Sequence, residues 1–213
     1  MKPADPNRDH RPLVRDTYDR IAAEFNSARV SESDALLAPL MAALPAGAIV
    51  VDLGCGTGVP ITRTLSQAHT VIGVDFSSGQ IALARKQAPR AHLIQADMAR
   101  CAFRPASLDA VVSFYAIFHL PLLEHAPLIS RVNEWLKPGG YLMATLSPAR
   151  QEGYTEEYFG AEMYWSNLSL SEYRALLLAN GFEILDEGVV SHGYTDEGAR
   201  PEHHPLVFAR SAR

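Results

Sequence analysis

Residues 50–58 read Val-Val-Asp-Leu-Gly-Cys-Gly-Thr-Gly, an apolar run that leads directly into a cluster of glycines. The run predicts a buried strand, and the following segment, 59–66, predicts a helix. Glycines permit a tight turn and a close approach of backbone to ligand, and the start of a helix presents free N–H groups. The stretch therefore predicts a ligand-binding loop between a strand and a helix.

The glycine spacing distinguishes this loop from that of dinucleotide-binding proteins. The pattern G-x-G-x-x-G would place its third glycine at position 59, where the chain has Val59 and the glycine comes one residue earlier as Gly58. Asp52 stands two residues before the first glycine, where its charge would repel a pyrophosphate. The loop therefore favours a zwitterionic or cationic cofactor, with a generic tight turn as the structural alternative.

Strand-like and helical segments alternate along the rest of the chain. Strand-like runs occupy 48–53, 70–74, 91–96, 108–114 and 141–146. Helical patterns occur at 13–29, 79–87, 122–136 and 170–180. Apolar strands separated by helices predict a doubly wound α/β fold with a mostly parallel sheet and helices on both faces. Two last strands, 182–190 and 206–210, have no helix between them and predict an antiparallel pair at the sheet edge.

Two acids follow the second and third strands. Asp75 is placed to accept hydrogen bonds from the hydroxyls of a ribose, and Asp97 from an adenine amino group beside the apolar Met98. The carboxyl ends of parallel strands, where open α/β sheets bind their ligands, bring both acids to the glycine loop. The alternatives are a helix-capping role for Asp75 and a solvated loop position for Asp97.

The chain resembles the class I S-adenosylmethionine-dependent methyltransferases. The resemblance covers about residues 13–190 and rests on DTYDRIAAEF, VVDLGCGTG, VIGVDFS, IQADM, LDAVVSFYAIFHL and WLKPGGYLMATLS, in the family's order. It implies a seven-stranded sheet whose last strand is antiparallel, and S-adenosylmethionine as the cofactor. The residues expected to bind it are Tyr18, Asp52, Gly54, Cys55, Gly56, Gly58, Asp75, Phe76, Gln80, Asp97, Met98 and Phe114. For Tyr18, the alternative is an ordinary position on the apolar face of the first helix.

The acceptor end of the site is expected after the fourth strand. His119 is a candidate general base, with a loop histidine packed beside Phe118 and Leu120 as the alternative. The segment 154–165 holds five aromatic residues and predicts a lid over a flat or hydrophobic acceptor, or else an extra core patch. The residues expected to contact the acceptor are Tyr115, His119, Tyr158, Tyr164 and Trp165.

Length and composition favour a single domain. The 213 residues divide into an amino-terminal helical cap (1–45), a cofactor-binding core (46–147), a lid insertion (148–168), and a final helix with edge strands (169–213). A formal charge of −5 argues against a nucleic-acid partner, and no apolar run is long enough to predict a membrane span. We expect a cytoplasmic protein, and a homodimer is a possible assembly. No metal site is expected; the alternative is that His192, His203 and His204 bind a metal ion.

The sequence thus predicts a methyltransferase that moves a methyl group to an O, N or S nucleophile of a small molecule by in-line displacement. Methylation of RNA or protein is the first alternative. The segment 113–116 reads Ser-Phe-Tyr-Ala rather than the Asn/Asp-Pro-Pro-Tyr that adenine or glutamine-amide acceptors favour. A nicotinamide-dependent oxidoreductase and a non-catalytic cofactor-binding protein are the further alternatives.

Overall fold

The computed structural model describes residues 1–5, 8–30, 34–194 and 202–213. The helices are α1 (Arg11–Ala28), α2 (Asp34–Ala43), α3 (Ile61–Leu65), α4 (Ser78–Gln87), α5 (His125–Trp135) and α6 (Leu170–Ala179). The strands are β1 (Lys2–Pro3), β2 (Arg29–Val30), β3 (Ile49–Leu53), β4 (Thr70–Asp75), β5 (His92–Gln95), β6 (Leu108–Ser113), β7 (Leu136–Thr145), β8 (Gln151–Tyr158), β9 (Ala161–Asn167), β10 (Phe182–Tyr194) and β11 (Glu202–Ser211). None of the helices in these ranges is long and apolar enough to cross a membrane.

The main sheet has the strand order β2-β10-β11-β7-β6-β3-β4-β5. The five adjacent strands β7, β6, β3, β4 and β5 pair in parallel. Strand β11 pairs antiparallel with both β7 and β10. The predicted seven-stranded, mostly parallel sheet with an antiparallel last strand is confirmed, and the two-residue β2 extends it. The expected antiparallel pair forms, but β11 is inserted inside the sheet and only β10 lies toward its edge.

Both faces of the sheet are covered, as the apolar strands predict. Val50 and Val51 point to opposite faces because successive side chains of a strand alternate, yet neither is exposed to solvent. Val50 packs with Leu37 and Leu40 of α2, while Val51 belongs to the cluster that includes Leu128 of α5. This two-sided burial holds the carboxyl ends of β3, β4 and β6 in fixed positions.

A second, smaller sheet has the order β1-β8-β9 and accounts for most of the segment expected to be a lid insertion. Tyr158 pairs with Ala161, so the two-residue turn of the β8–β9 hairpin is Phe159–Gly160, and both turn residues have positive φ. That geometry suits the twist of an antiparallel hairpin. The hairpin packs on α1, where the Thr17 hydroxyl donates to the Glu162 carbonyl at 3.2 Å. The aromatic segment therefore lies beside the covering helix.

Candidate functional site

A cleft opens at the carboxyl ends of β3, β4, β5 and β6, beneath helix α1. Its empty space is about 570 Å³, counting the part open to solvent, which is within the range of small-molecule sites. The sequence-predicted residues that line it are Tyr18, Gly54, Gly56, Asp75, Phe76, Gln80, Met98, Phe114, Tyr115 and His119. Sequence reasoning missed the lining residues Val14, Phe25, Val74, Ala96 and Ala116. Val14 and Phe25 share the buried face of α1 with Tyr18, and helical spacing was the signal that could have found them.

The three glycines of the loop differ in what surrounds them, although each has positive φ. A Cβ at Gly54 would lie 2.2 Å from the Cβ of Ala116, so this position must remain small. A Cβ at Gly58 would press on α4 at Ala84 and Ala88. At Gly56 the nearest heavy atom is 3.7 Å away, and the residue faces the cleft. Gly56 is thus the glycine that leaves room for a ligand.

Asp52 and Cys55 stabilise the loop from below. The buried Asp52 carboxylate accepts a hydrogen bond from the Thr62 hydroxyl at 2.6 Å, which ties β3 to α3. The backbone N–H of Cys55 donates to the Val74 carbonyl at 2.9 Å, and burial raises the pKa of its thiol. Neither residue lines the cleft, so their expected contacts with the cofactor stay predictions.

Asp75 closes one side of the cleft with its carboxylate. Oδ2 accepts from the backbone N–H of Gly56 at 2.9 Å, and Oδ1 accepts from that of Ser77 at 2.9 Å. Burial raises the pKa of Asp75 to about 6 despite these hydrogen bonds. The N-cap of α4 is Ser77, whose hydroxyl accepts from the Gln80 N–H, so the helix-cap alternative for Asp75 is not what the structure shows.

Gln80 lines the cleft with an amide that the protein leaves unsatisfied. The residue is 2% exposed, and neither Oε1 nor Nε2 has a hydrogen-bond partner among the described residues. A buried amide without partners costs free energy, which a ligand bearing donors and acceptors would recover. The cleft therefore combines a carboxylate, an unsatisfied amide and the apolar Met98, a set that fits the hydroxyls and base of a nucleoside.

Asp97 is engaged with protein groups in this structure. Its Oδ2 accepts from Nε of Arg11 at 2.8 Å, and its Oδ1 accepts from the Ala99 N–H at 2.8 Å. Arg11 also donates to the Glu124 carboxylate, so the start of α1 is bound to two loops of the sheet. The predicted contact of Asp97 with an adenine stays a prediction, and the carboxylate is not simply solvated.

Tyr18, His119 and Tyr158 meet at the other end of the cleft. The His119 Nδ1 lies 3.0 Å from the Tyr164 carbonyl, which can only accept, so Nδ1 carries the proton and donates. The bare Nε2 then accepts from the Tyr18 hydroxyl at 2.9 Å, and Tyr158 Oη lies 3.3 Å from Tyr18 Oη. Burial lowers the pKa of His119 to about 4, so the ring is neutral at pH 7.

The remaining residues expected at the acceptor lie around this cluster. The Trp165 ring centroid is 4.6 Å from that of His119, and its Nε1 donates to the Thr155 hydroxyl at 2.9 Å. Tyr164 is fully buried, stacks on His10 and donates its hydroxyl to Glu152 at 2.7 Å. Its side chain does not line the cleft, and only its carbonyl reaches His119. An acceptor contact with the Tyr164 side chain therefore has no support in this geometry.

Tyr115 stands where β6 ends, in a backbone conformation that non-glycine residues seldom adopt. Its φ is 57°, and its N–H donates to the Thr145 hydroxyl at 2.6 Å. Such strain clusters at ligand-binding sites, and here it turns the chain along the cleft wall. Within the described part of the chain, no group of His, Cys, Asp and Glu could hold a metal ion. The His192 side chain, part of the metal reading, lies outside what the structure describes.

Comparisons with known proteins agree with this geometry. A family profile described as a methyltransferase domain matches residues 50–140. A probable S-adenosylmethionine-dependent methyltransferase of Mycolicibacterium smegmatis is 30% identical over 154 residues, which cover 70% of this chain and 57% of the relative. A trans-aconitate 2-methyltransferase of Variovorax paradoxus is 34% identical over 111 residues, covering 51% and 42%. A tRNA (carboxymethyluridine(34)-5-O)-methyltransferase of Arabidopsis thaliana is 29% identical over 140 residues, covering 65% and 33%.

The chain spans about half the length of the curated relatives it matches. Among solved structures, magnesium protoporphyrin IX methyltransferase from Synechocystis PCC 6803 aligns over 97% of this chain and 99% of that chain. The TM-score is 0.72 and the identity 20%, so this likeness shows the fold alone. Together, the matches confirm the resemblance that the motifs predicted and the expected cofactor, against the nicotinamide alternative.

Proposed function

Because the chain belongs to the S-adenosylmethionine-dependent methyltransferases, a family of enzymes that use this cofactor, we propose that it methylates an O, N or S nucleophile of a small molecule. The observation that carries the proposal is the hydrogen-bonded cluster of Tyr18 and His119, which line one end of the cleft, with Tyr158, which contacts Tyr18 from outside it. An acceptor has to fit beside these rings, which suits a small molecule better than a folded polymer.

The residues that would hold the cofactor are those that line the cleft and still have hydrogen-bond donors or acceptors, or apolar surface, to offer a ligand. Asp75 would accept from the ribose hydroxyls, and the Gln80 amide would exchange hydrogen bonds with the nucleoside. Met98 would pack against the base, and the Gly56 backbone leaves space for the rest of the molecule. When bound, the cofactor supplies an electrophilic methyl carbon on a sulfonium and leaves as the neutral thioether S-adenosylhomocysteine.

The protein's own contribution is mainly positioning and exclusion of water. Tyr18, Phe25 and the hairpin residue Tyr158 place aromatic surface at the reacting end, and their rings contact one another. Aromatic faces attract a cation, so they favour a sulfonium bound among them. Closure by these rings also preserves in-line geometry between nucleophile and methyl carbon.

A proton must leave an O–H or N–H acceptor as its bond to carbon forms. The Tyr158 hydroxyl, the Tyr18 hydroxyl and Nε2 of His119 form a chain that leads away from the acceptor end. A histidine with a pKa of about 4 is a weak base, so it would assist proton release only as bond formation to the methyl carbon makes the acceptor's O–H or N–H strongly acidic. His119 therefore acts on the acceptor through Tyr18. Its main effect is to position the Tyr18 hydroxyl, and any proton that it takes up arrives through that hydroxyl.

The tRNA methyltransferase relative makes RNA the second candidate acceptor. The net charge of −5 disfavours RNA, because RNA binding depends on neutralisation of its phosphates.

Isothermal titration calorimetry with S-adenosylhomocysteine and, separately, NAD tests the cofactor. We expect micromolar binding of the first and none of the second. Binding of NAD alone would overturn the proposal.

A further inference from the structure

A second cavity lies on the far side of the aromatic cluster. It holds about 1040 Å³ of empty space, counting the part open to solvent, and its walls include Phe118, Tyr158, Trp165 and Asn167. The Phe118 and Trp165 rings lie 5.5 Å apart between centroids, and Tyr158 meets Trp165 edge to face at 5.2 Å. These rings offer flat apolar surface to a ligand.

A single layer of side chains separates the two cavities, and none of the described residues lines both. Tyr158 lines the second cavity, and its hydroxyl is 3.3 Å from that of Tyr18, which lines the cleft. His119 faces the cleft, and its ring contacts both Phe118 and Trp165 of the second cavity. A ligand in the second cavity would therefore lie one layer of side chains from the end of the cleft where a methyl group is presented, and it reaches that end when Tyr158 turns away from Tyr18.

Asn167 gives this cavity a polar feature that the protein does not satisfy. It ends β9, is 3% exposed, and its Oδ1 has no hydrogen-bond partner among the described residues. A hydroxyl both donates and accepts, so it satisfies the amide in either orientation of its O and N atoms. The unsatisfied amide predicts a ligand with a hydroxyl at that point.

The charges of the lining argue against a carboxylate ligand. None of the described lining residues is Lys or Arg, and Glu157 adds a negative charge. The described lining offers only the amino terminus at Met1 and the imidazoles of His203 and His204 as possible cations, so a carboxylate transferred there would lose hydration without gaining a guanidinium or lysine partner. The cavity thus differs from what a tricarboxylate such as trans-aconitate needs.

We infer that the second cavity is the acceptor pocket, and that it takes a planar phenol whose second hydroxyl group bonds to Asn167. This inference rests on the proposed function and deepens it by naming the acceptor class. In the transfer, the phenol oxygen forms a bond to the methyl carbon while the carbon–sulfur bond breaks, with its electron pair going to sulfur. The phenol proton is released to water, while the Tyr158 and Tyr18 hydroxyls, held in place by Nε2 of His119, orient the phenol oxygen.

The test is a titration of the whole chain, saturated with S-adenosylhomocysteine, with 2,3-dihydroxynaphthalene, 2-naphthol and trans-aconitate. Binding is followed by calorimetry and by tryptophan fluorescence, because Trp165 lines the cavity. We expect the diphenol to bind about tenfold more tightly than 2-naphthol, the loss expected for one hydrogen bond. We expect no binding of trans-aconitate.

Three variants make the test specific. Asn167→Leu should remove the tenfold preference, whereas Asn167→Asp keeps an accepting oxygen and should retain most of it. Asn26→Leu, on α1 and outside both cavities, should leave the preference unchanged. The inference is overturned if trans-aconitate binds, if neither phenol binds, or if Asn167→Leu leaves the preference intact. Failure of S-adenosylhomocysteine itself to bind would instead contradict the proposed function.

Discussion

Nε2 of His119 lies 2.9 Å from the hydroxyl of Tyr18, which joins the loop after β6 to the helix that covers the cleft. The other ring nitrogen donates to the carbonyl of Tyr164 on β9, so one imidazole connects the sheet, α1 and the hairpin. All three parts of the acceptor end are therefore positioned by a single neutral side chain.

We predict that His119→Gln retains much of the wild-type kcat, whereas His119→Ala loses about tenfold to a hundredfold. Glutamine can accept from the Tyr18 hydroxyl but cannot take up a proton. Steady-state kinetics with S-adenosylmethionine and a phenol acceptor give the comparison. If kcat falls equally in both variants while cofactor affinity holds, proton uptake by His119 is essential and the positioning role is insufficient.

Cofactor affinity should fall as the pH is lowered through about 6. The raised pKa of Asp75 means that its carboxylate becomes protonated there and loses acceptor capacity for the ribose hydroxyls. At pH 5 the ionised fraction is about one tenth, so Kd for S-adenosylhomocysteine should rise about tenfold relative to pH 7.5. Calorimetry at both pH values measures the change.

The matched variant for that prediction is Asp75→Asn. It should bind about 1–3 kcal/mol more weakly at pH 7.5, and its Kd should hardly change between pH 5 and 7.5. A wild-type Kd that stays constant over this range would show that Asp75 does not titrate there or does not contact the cofactor.

Two glycine substitutions should separate folding from binding. Gly54→Ala places a Cβ 2.2 Å from Ala116, so overpacking should lower the free energy of unfolding by about 1–3 kcal/mol. Gly56→Ala meets no atom nearer than 3.7 Å and should mainly weaken S-adenosylhomocysteine binding, with only the strain of its positive φ as a cost to stability. Urea denaturation and calorimetry on both variants would contradict this account if their effects were reversed.

The start of α1 should control how fast the cofactor leaves. Arg11 is bound to Asp97 and Glu124, and the side chain is 19% exposed. Arg11→Met should therefore increase the dissociation rate of S-adenosylhomocysteine several-fold, as measured by stopped-flow fluorescence. Arg15→Met is the control, since the exposed Arg15 forms its salt bridge with the adjacent Asp16 on the same helix rather than with a loop of the sheet. Equal dissociation rates in the two variants would show that Arg11 does not control release of the cofactor.

The cofactor cleft was largely predictable from the sequence because its parts are local. Gly56, Asp75 and Met98 each lie at or just after the end of a strand, and parallel strands necessarily bring their carboxyl ends together. Asp97 shows the limit of such reasoning, because its partner Arg11 stands 86 positions away and only the packing of α1 brings them together.

The hairpin was missed for a different reason. Its turn residues, Phe159 and Gly160, both have positive φ, and phenylalanine is not a residue that signals such a turn. The aromatic content of 154–165 was recognised, but the pairing of Tyr154 with Tyr164 across two strands was not. As a result, the burial of Tyr164 against His10 could not be foreseen from spacing.

Methyl transfer from S-adenosylmethionine to a small molecule can be followed with a radioactive label. Purified protein is incubated with methyl-tritiated S-adenosylmethionine and either a panel of phenols, amines and thiols or bulk tRNA, with Tyr18→Phe as a parallel variant. We expect label in a small-molecule product, strongly reduced in the variant, and none in tRNA. Label in tRNA alone, or no transfer to any acceptor while S-adenosylhomocysteine binds, would contradict it.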